Sequence, residues 1–411
     1  MPSLRPRMTD EERRDRIAVR HHLAPEARAT TVEQVAASLT ALHGTDPATV
    51  HLAAGARLAD PAGPVAAMER ALYEDRTLIR MHGMRHTVFV LPASLAPVVQ
   101  ASTTHAVAVR ERASLLKQLA AGSSLDARWL ADVERSVLGH LARRGEATAT
   151  ELAEDEPRLR EQFVYAPGTS HEQRQTVSTR LLRLLGTEAR VVRGRPLGSW
   201  TSSRFRWAIA PALPDVPPAE ARATLTRAWL ASHGPATEAD LKWWTGWKVT
   251  DVRAALAAVS AVPVDLDDGT TGHVLPDDTG RTPAPAPWAA LLPALDPTPM
   301  GWQARDWYLP AAHRTALFDR SGNIGPTVWW NGRIIGGWAQ RPDGEPVWRL
   351  LDPDPGHDAL TAVEAEAARL HSWLGTTRIT PRFRTPWSAN CPPDAHPSTR
   401  RNRRGPPSVY G

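Results

Sequence analysis

One twelve-residue segment of this chain occurs twice. LARRGEATATEL (141–152) aligns without a gap to LASHGPATEADL (230–241), so that Leu141, Ala142, Gly145, Ala147, Thr148 and Leu152 correspond to Leu230, Ala231, Gly234, Ala236, Thr237 and Leu241. Glu151 and Asp240 correspond in charge. An amphipathic helix leads into each copy, through Trp129, Leu130, Val133, Val137 and Leu141, and then through Leu225, Trp229 and Leu230. Each helix ends near a glycine. The threonine that follows offers its hydroxyl as the N-cap of the next helix, which gives helix–turn–helix spacing.

The same elements follow both copies. After the first come a helical pattern (TVSTRLLRLLG, 176–186), a strand (ARVVRGR), a turn at Pro196–Ser199 and a second strand (SRFRWAIA). After the second come TDVRAALAAV (250–259), AVPVDLD, a DDGTTG turn and GHVLP. Three helices and a two-stranded hairpin make the winged-helix plan, and here it is written twice. The expected fold class is α+β, mainly helical, with tandem winged-helix units and a C-terminal β-rich module.

Two to four domains are expected of 411 residues. Residues 1–120 read as an N-terminal helical or winged-helix region. Within it TVEQVAASLTALH (31–43) has helical spacing, Asp46-Pro47 caps a second helix through Leu58, and 76–92 alternates like a strand. Residues 121–212 and 213–278 are the two winged-helix units. Residues 279–385 form a β-meander of TVWW, RIIGGWAQ and PVWRLL with NG and DG turns, then a helix (360–374) and a short strand, RITPRF. The Pro- and Arg-rich stretch 386–411 reads as disordered.

Composition narrows the chemistry. The single Cys391 excludes an internal disulfide and cysteine-based zinc or iron–sulfur sites. The histidines, among them His21, His22, His82 and His86, have no carboxylate partners at metal-ligand spacing, so no metal is expected. Without GxxxxGK[ST], a strand-linked GxGxxG or GxSxG, nucleotide cofactors and an acyl-transfer elbow have no support, and no cofactor is expected. There is no apolar run of the roughly eighteen residues that a membrane span needs, and no secretory h-region. A soluble cytoplasmic protein is expected, associated with the nucleoid if it binds DNA.

The net charge of +5 permits a nucleic-acid partner. Lysine occurs only at Lys117, Lys242 and Lys248, an arginine bias that GC-rich codons explain globally. Locally, the first unit gathers Arg180, Arg183, Arg190, Arg193, Arg195, Arg204 and Arg206 on its third helix and hairpin, the candidate contacts to DNA phosphates. The second hairpin turn is acidic (Asp265, Asp267, Asp268), which suits a structural or protein-contacting repeat. Trp243, Trp244 and Trp247 share helical spacing and are expected in the core rather than as a base-stacking platform.

The stretch LHGTDPATVHLAAGAR (42–57) holds a base, a hydroxyl and a carboxylate, His43, Thr45 and Asp46, at what reads as a helix–helix turn. Such a trio can orient a water and stabilise positive charge developing on a sugar. This stretch resembles the signature GLQAQDPxxxxLxxxAR of the AlkZ-like (azinomycin-resistance) DNA glycosylase family of winged-helix DNA-binding proteins. The resemblance continues through RMHGMRHTVFVLP (80–92), RGRPLGSWTSSRFRW (193–207), HGPATEADLKWWTGW (233–247), LLPALDPTPMGWQARDWYL (291–309) and FDRSGNIGPTVWWNGRIIGGWAQ (318–340), and covers roughly residues 15–385.

The resemblance implies a concave face for double-stranded, damaged DNA and monofunctional removal of bulky or cross-linked alkylated purines. His43 and Thr45 stand where the family carries two glutamines, or a glutamine and an acidic residue, that act on the water and the sugar. Asp46 matches the family's aspartate before the proline. No lysine aligns as a Schiff-base nucleophile. The alternative expectation is a non-catalytic winged-helix DNA-binding or regulatory protein with a degenerate catalytic motif.

Overall fold

The computed structural model describes residues 5–60, 63–122, 125–166, 168–170 and 172–389. It is an α+β structure rich in helix, with small sheets of two to four strands.

Both repeats fold alike. In the first, helix Ala127–Arg144 ends at Gly145 with φ 78, and Thr148 and Glu151 form a reciprocal capping box that opens Ala149–Asp155. In the second, Pro218–His233 ends at Gly234, and Thr237 with Asp240 caps Glu238–Thr245 in the same way. The third helices are Val177–Thr187 and Val249–Ala258. Antiparallel hairpins follow, Val191–Pro196 with Phe205–Ile209 and Val262–Leu266 with Thr271–Val274. The repeated alanines occupy equivalent places: Ala147 pairs with Trp207 and Ala236 with His273, each on the second strand of its hairpin. The first repeat also carries an inserted hairpin, Gln162–Tyr165 with Gln173–Thr176, that local sequence pattern does not signal.

The N-terminal region departs from the expected helix over 31–43. Thr31 caps Val32–Ser38, and the helix stops there because Thr40 turns the chain at φ 65. Leu42–His43 then becomes a strand. Instead of one strand over 76–92, Leu78–His82 and Val88–Pro92 form a hairpin, and the sheet order places Val88–Pro92 between the other two. Leu42, Leu78 and Val90 pack on Val35, Leu39 and Val50, whereas Met81 and Phe89 join the large central core. At the very start, Arg7–Met8 adds a parallel strand to the second repeat's hairpin, and Met8 is buried against Val264 and Leu266.

The C-terminal module has one strand more than the expected meander: Ala289–Leu292, Thr327–Trp330, Arg333–Gln340 and Pro346–Leu350 lie in that order. Asn331 and Gly332 both have positive φ (43 and 77), which suits a tight hairpin. Helix His357–Leu374 covers the sheet. The expected strand at 378–383 is absent because Ile379 N–H donates to the Gln340 side chain and Pro381 has no N–H to give. Order also extends past the expected boundary at 385. Pro386–Ala389 is a short helix that buries Trp387, and the remainder of the expected tail lies outside the described residues.

One core joins the N-terminal helix, the second repeat and the C-terminal module through Ile17, Trp229, Trp244, Trp302 and Trp329. The first repeat has its own, built on Leu130, Leu141, Leu152, Leu181 and Leu185. No helix among the described residues is long and apolar enough to cross a membrane.

Candidate active site

His43, Thr45 and Asp46 come together at a strand-to-helix turn, not at the helix–helix turn expected from the sequence. His43 pairs with Phe89 across the sheet. Gly44 N–H donates to Val88 O at 2.7 Å, and a Cβ on Gly44 would stand 3.3 Å from the Phe89 carbonyl carbon, so a bare backbone fits best. The next helix, Pro47–Gly55, starts one residue after Asp46.

Asp46 is the N-cap that the sequence implied. Its Oδ1 accepts Ala48 N–H at 3.1 Å, and its Oδ2 accepts the Arg382 N–H at 3.0 Å from the far end of the chain. Thr49 fastens the same helix by donating to Ala294 O at 3.0 Å. Asp46, Thr49, Trp338 and Gln340 line a cavity of about 20 Å³, room for one water.

His43 is buried, with its ring tilted on Phe89 at 5.2 Å. Burial, reinforced by the positive Arg85, lowers its pKa to about 4, so the imidazole is neutral at pH 7. Its Nδ1 and the Thr45 Oγ1 are both buried without a hydrogen-bond partner among the described residues. Two unsatisfied polar atoms so close in the chain are expensive unless something polar meets them.

The seven candidate arginines of the first repeat divide sharply. Arg180 pairs with Glu111 at 3.3 Å, Arg190 with Glu134 at 2.9 Å, Arg195 with Glu74 at 2.7 Å, and Arg206 with Glu151 at 3.3 Å. These four are neutralised within the chain. Arg183 donates to His86 Nδ1 at 3.1 Å. Arg204 is exposed on the turn and Arg193 stacks over Phe205 at 4.4 Å; neither has a carboxylate within 4.0 Å among the described residues. The turn itself is fastened to the protein, because Trp200 packs on His51 (4.9 Å) and Trp373 (6.3 Å).

Trp244 and Trp247 lie in the core, as their spacing implied. Trp243 is half-buried against the same core, and its ring also meets two guanidiniums, Arg85 at 4.1 Å and Arg305 at 4.8 Å. Sequence reasoning missed Arg80, Arg85, Arg305 and Arg382. Arg80 and Arg85 lie inside RMHGMRHTVFVLP and Arg305 inside GWQARDWYL, so the resembling motifs held the signal for three of them. No three His, Cys, Asp or Glu side chains converge as a metal site among the described residues.

Residues 36–373 match the family model of AlkZ-like DNA glycosylases. The interstrand DNA cross-link repair glycosylase of Streptomyces sahachiroi is 30% identical over 181 residues, 40% of this chain and 46% of that protein. The chain thus aligns to about half the length of this curated relative. The solved structure of Streptomyces sahachiroi DNA glycosylase AlkZ has the same fold, with a TM-score of 0.68 at 21% identity over 91% of this chain and 98% of that one. Because the family model spans the candidate turn, both repeats and most of the β-rich module, the chain belongs to the AlkZ-like DNA glycosylase family.

Proposed function

We propose that this protein is a monofunctional DNA glycosylase that hydrolyses the N-glycosidic bond of bulky or cross-linked alkylated purines in double-stranded DNA, without a metal or cofactor. The repeats at 121–212 and 213–278 act as tandem winged helices, flanked by the N-terminal region 1–120 and the β-rich module 279–385. The observation that carries this reading is the pair of unsatisfied atoms, His43 Nδ1 and Thr45 Oγ1, at the turn that matches the family signature.

The chemistry suits a weak base. A purine alkylated at N3 or N7 is already cationic, so its bond to C1′ breaks with the electron pair returning to the ring, and no strong acid is needed. Water supplies the new C1′–O bond and releases one proton. Neutral His43 accepts a hydrogen bond from that water and orients it, and Thr45 holds the water or a sugar-phosphate oxygen. The buried Asp46 carboxylate contributes negative potential near the developing positive charge on the sugar. Arg193, Arg183 and Arg204 contact DNA phosphates, while the four carboxylate-paired arginines do so less.

A DNA-binding protein without catalysis is the second reading. It is favoured by Asp46, both of whose oxygens already accept hydrogen bonds within the chain. Duplex DNA carrying N3- or N7-alkylated purines, followed by alkaline cleavage of abasic sites, separates the two. The glycosylase reading expects strand breaks above the protein-free control, reduced by His43→Ala. Tight binding with background cleavage supports the second reading, and no binding at all defeats both.

A further inference from the structure

Arginines from three distant parts of the chain lie around the site helix Pro47–Gly55. Arg80, on strand Leu78–His82, is paired with Val90 and so shares the sheet face that packs on Val50 of that helix. Arg193 is on the hairpin whose turn residue Trp200 packs on His51 of the helix, and the Arg382 N–H meets Asp46 at its start. Arg80 is 4% exposed, and its Nε and Nη2 have no hydrogen-bond partner among the described residues. Burial first, and then the positive Arg80, Arg382 and Arg183, push the Arg193 pKa down to about 10. None of the three has a carboxylate within 4.0 Å among the described residues, in contrast to Arg180, Arg190, Arg195 and Arg206.

Arg193 lies over ring faces, Phe205 at 4.4 Å and Trp207 at 6.0 Å, which offset part of its lost hydration. His51, on the site helix little more than one turn past Asp46, is fully buried, and its Nε2 has no hydrogen-bond partner among the described residues. Burial and the positive Arg80 hold it neutral, with a pKa of about 3. His82 is likewise held neutral, by burial and then by Arg193. Buried cations are ordinarily paired, because an unpaired one gives up hydration for nothing. A planar guanidinium fork matches the oxygens of a phosphate, and Arg382, which is exposed, leaves a way in from solvent.

We propose that Arg80, Arg193 and Arg382 form an oxyanion subsite that takes a phosphate group, namely a backbone phosphodiester of the bound DNA. The DNA as its source rests on the glycosylase reading; the phosphate chemistry does not. Arg80 and Arg193 supply donors from within the protein, and Arg382 closes the site from the rim. The subsite draws the strand along the helix that begins at Asp46.

Two measurements on the full chain test this. The first is the melting midpoint in inorganic phosphate against chloride at equal ionic strength, for the wild type, Arg80→Met and Arg193→Gln. Phosphate is expected to raise the wild-type midpoint and to lose that effect in both variants. Arg80→Met is expected to melt at or above the wild type in chloride, since it removes an unpaired buried cation. The second is the salt dependence of duplex binding. Losing one phosphate contact in Arg193→Gln lowers the slope of log K against log[salt] by about one.

If phosphate protects through these arginines but the slope is unchanged, the subsite takes free phosphate and the DNA assignment fails. If phosphate protects no better than chloride and both variants bind DNA with the wild-type slope, the proposal is overturned. If the wild type binds no DNA, the glycosylase reading falls while the phosphate arm still decides the subsite. Should Arg80→Met not fold, Arg193→Gln alone carries both readouts.

Discussion

Replacing Asp296 by alanine should destabilise the fold severely, because of what it does to Arg57. Arg57 ends the signature stretch 42–57, and its side chain and that of Asp296 are both 0% exposed. All five guanidinium donors are used: Nε to His21 O, Nη1 to Ala53 O and Asp296 Oδ2, and Nη2 to Asp296 Oδ1 and Thr298 Oγ1, at 2.7–2.9 Å. The carboxylate also accepts Thr298 N–H at 2.9 Å. Asp296→Ala therefore leaves a formal charge, two N–H groups and a backbone amide unmatched in a fully buried site. The expected cost is about 3–5 kcal/mol. Equilibrium urea unfolding followed by tryptophan fluorescence reads it directly. In a double-mutant cycle Arg57→Met should cost less in the Asp296→Ala background than in the wild type, with a coupling above about 1 kcal/mol. An Asp296→Ala variant within about 1 kcal/mol of the wild type, or strictly additive single effects, would refute the reasoning.

Other outcomes follow from the same structure. Buried His43, His51, His82 and His233 have folded-state pKa values of about 4, 3, 3 and 3, below the ordinary 6.5. The unfolded chain takes up protons first as pH falls, so stability present above pH 6.5 is lost through the window down to 3–4. The loss is about 1.4 kcal/mol per histidine per pH unit within that window, and urea midpoints equal at pH 7.5 and about 5.5 would contradict it. Gly336→Ala places a Cβ 2.4 Å from Arg349 O and 2.9 Å from Leu350 Cα across the sheet. It should cost on the order of 1–3 kcal/mol by overpacking, and a variant as stable as the wild type would show that the strands can part there.

What the sequence made legible was local. Glycine endings and threonine caps repeat at matched positions, and each needs only its immediate neighbours to form; Gly145 with Thr148 and Gly234 with Thr237 behave accordingly. Asp46 was readable as a cap for the same reason. His43 was misplaced onto a helix because its strand exists only through pairing with Phe89, a partner that helical periodicity cannot see. The arginines of the first repeat could not be sorted in advance, since Arg195 finds Glu74 from 121 residues away. Arg80, Arg193 and Arg382 are likewise ordinary in their own segments and unusual only in company.

The reading of His43 as the residue that presents water to the sugar is open to one decisive measurement. Single-turnover release of an N7-alkylated guanine from duplex DNA would be timed for the wild type, His43→Ala and His43→Gln. The alanine variant is expected to be slower by about a hundredfold or more, and the glutamine variant, which supplies the residue of the signature that 42–57 resembles, to stay within about tenfold of the wild type. Base release by His43→Ala at the wild-type rate would contradict the assignment.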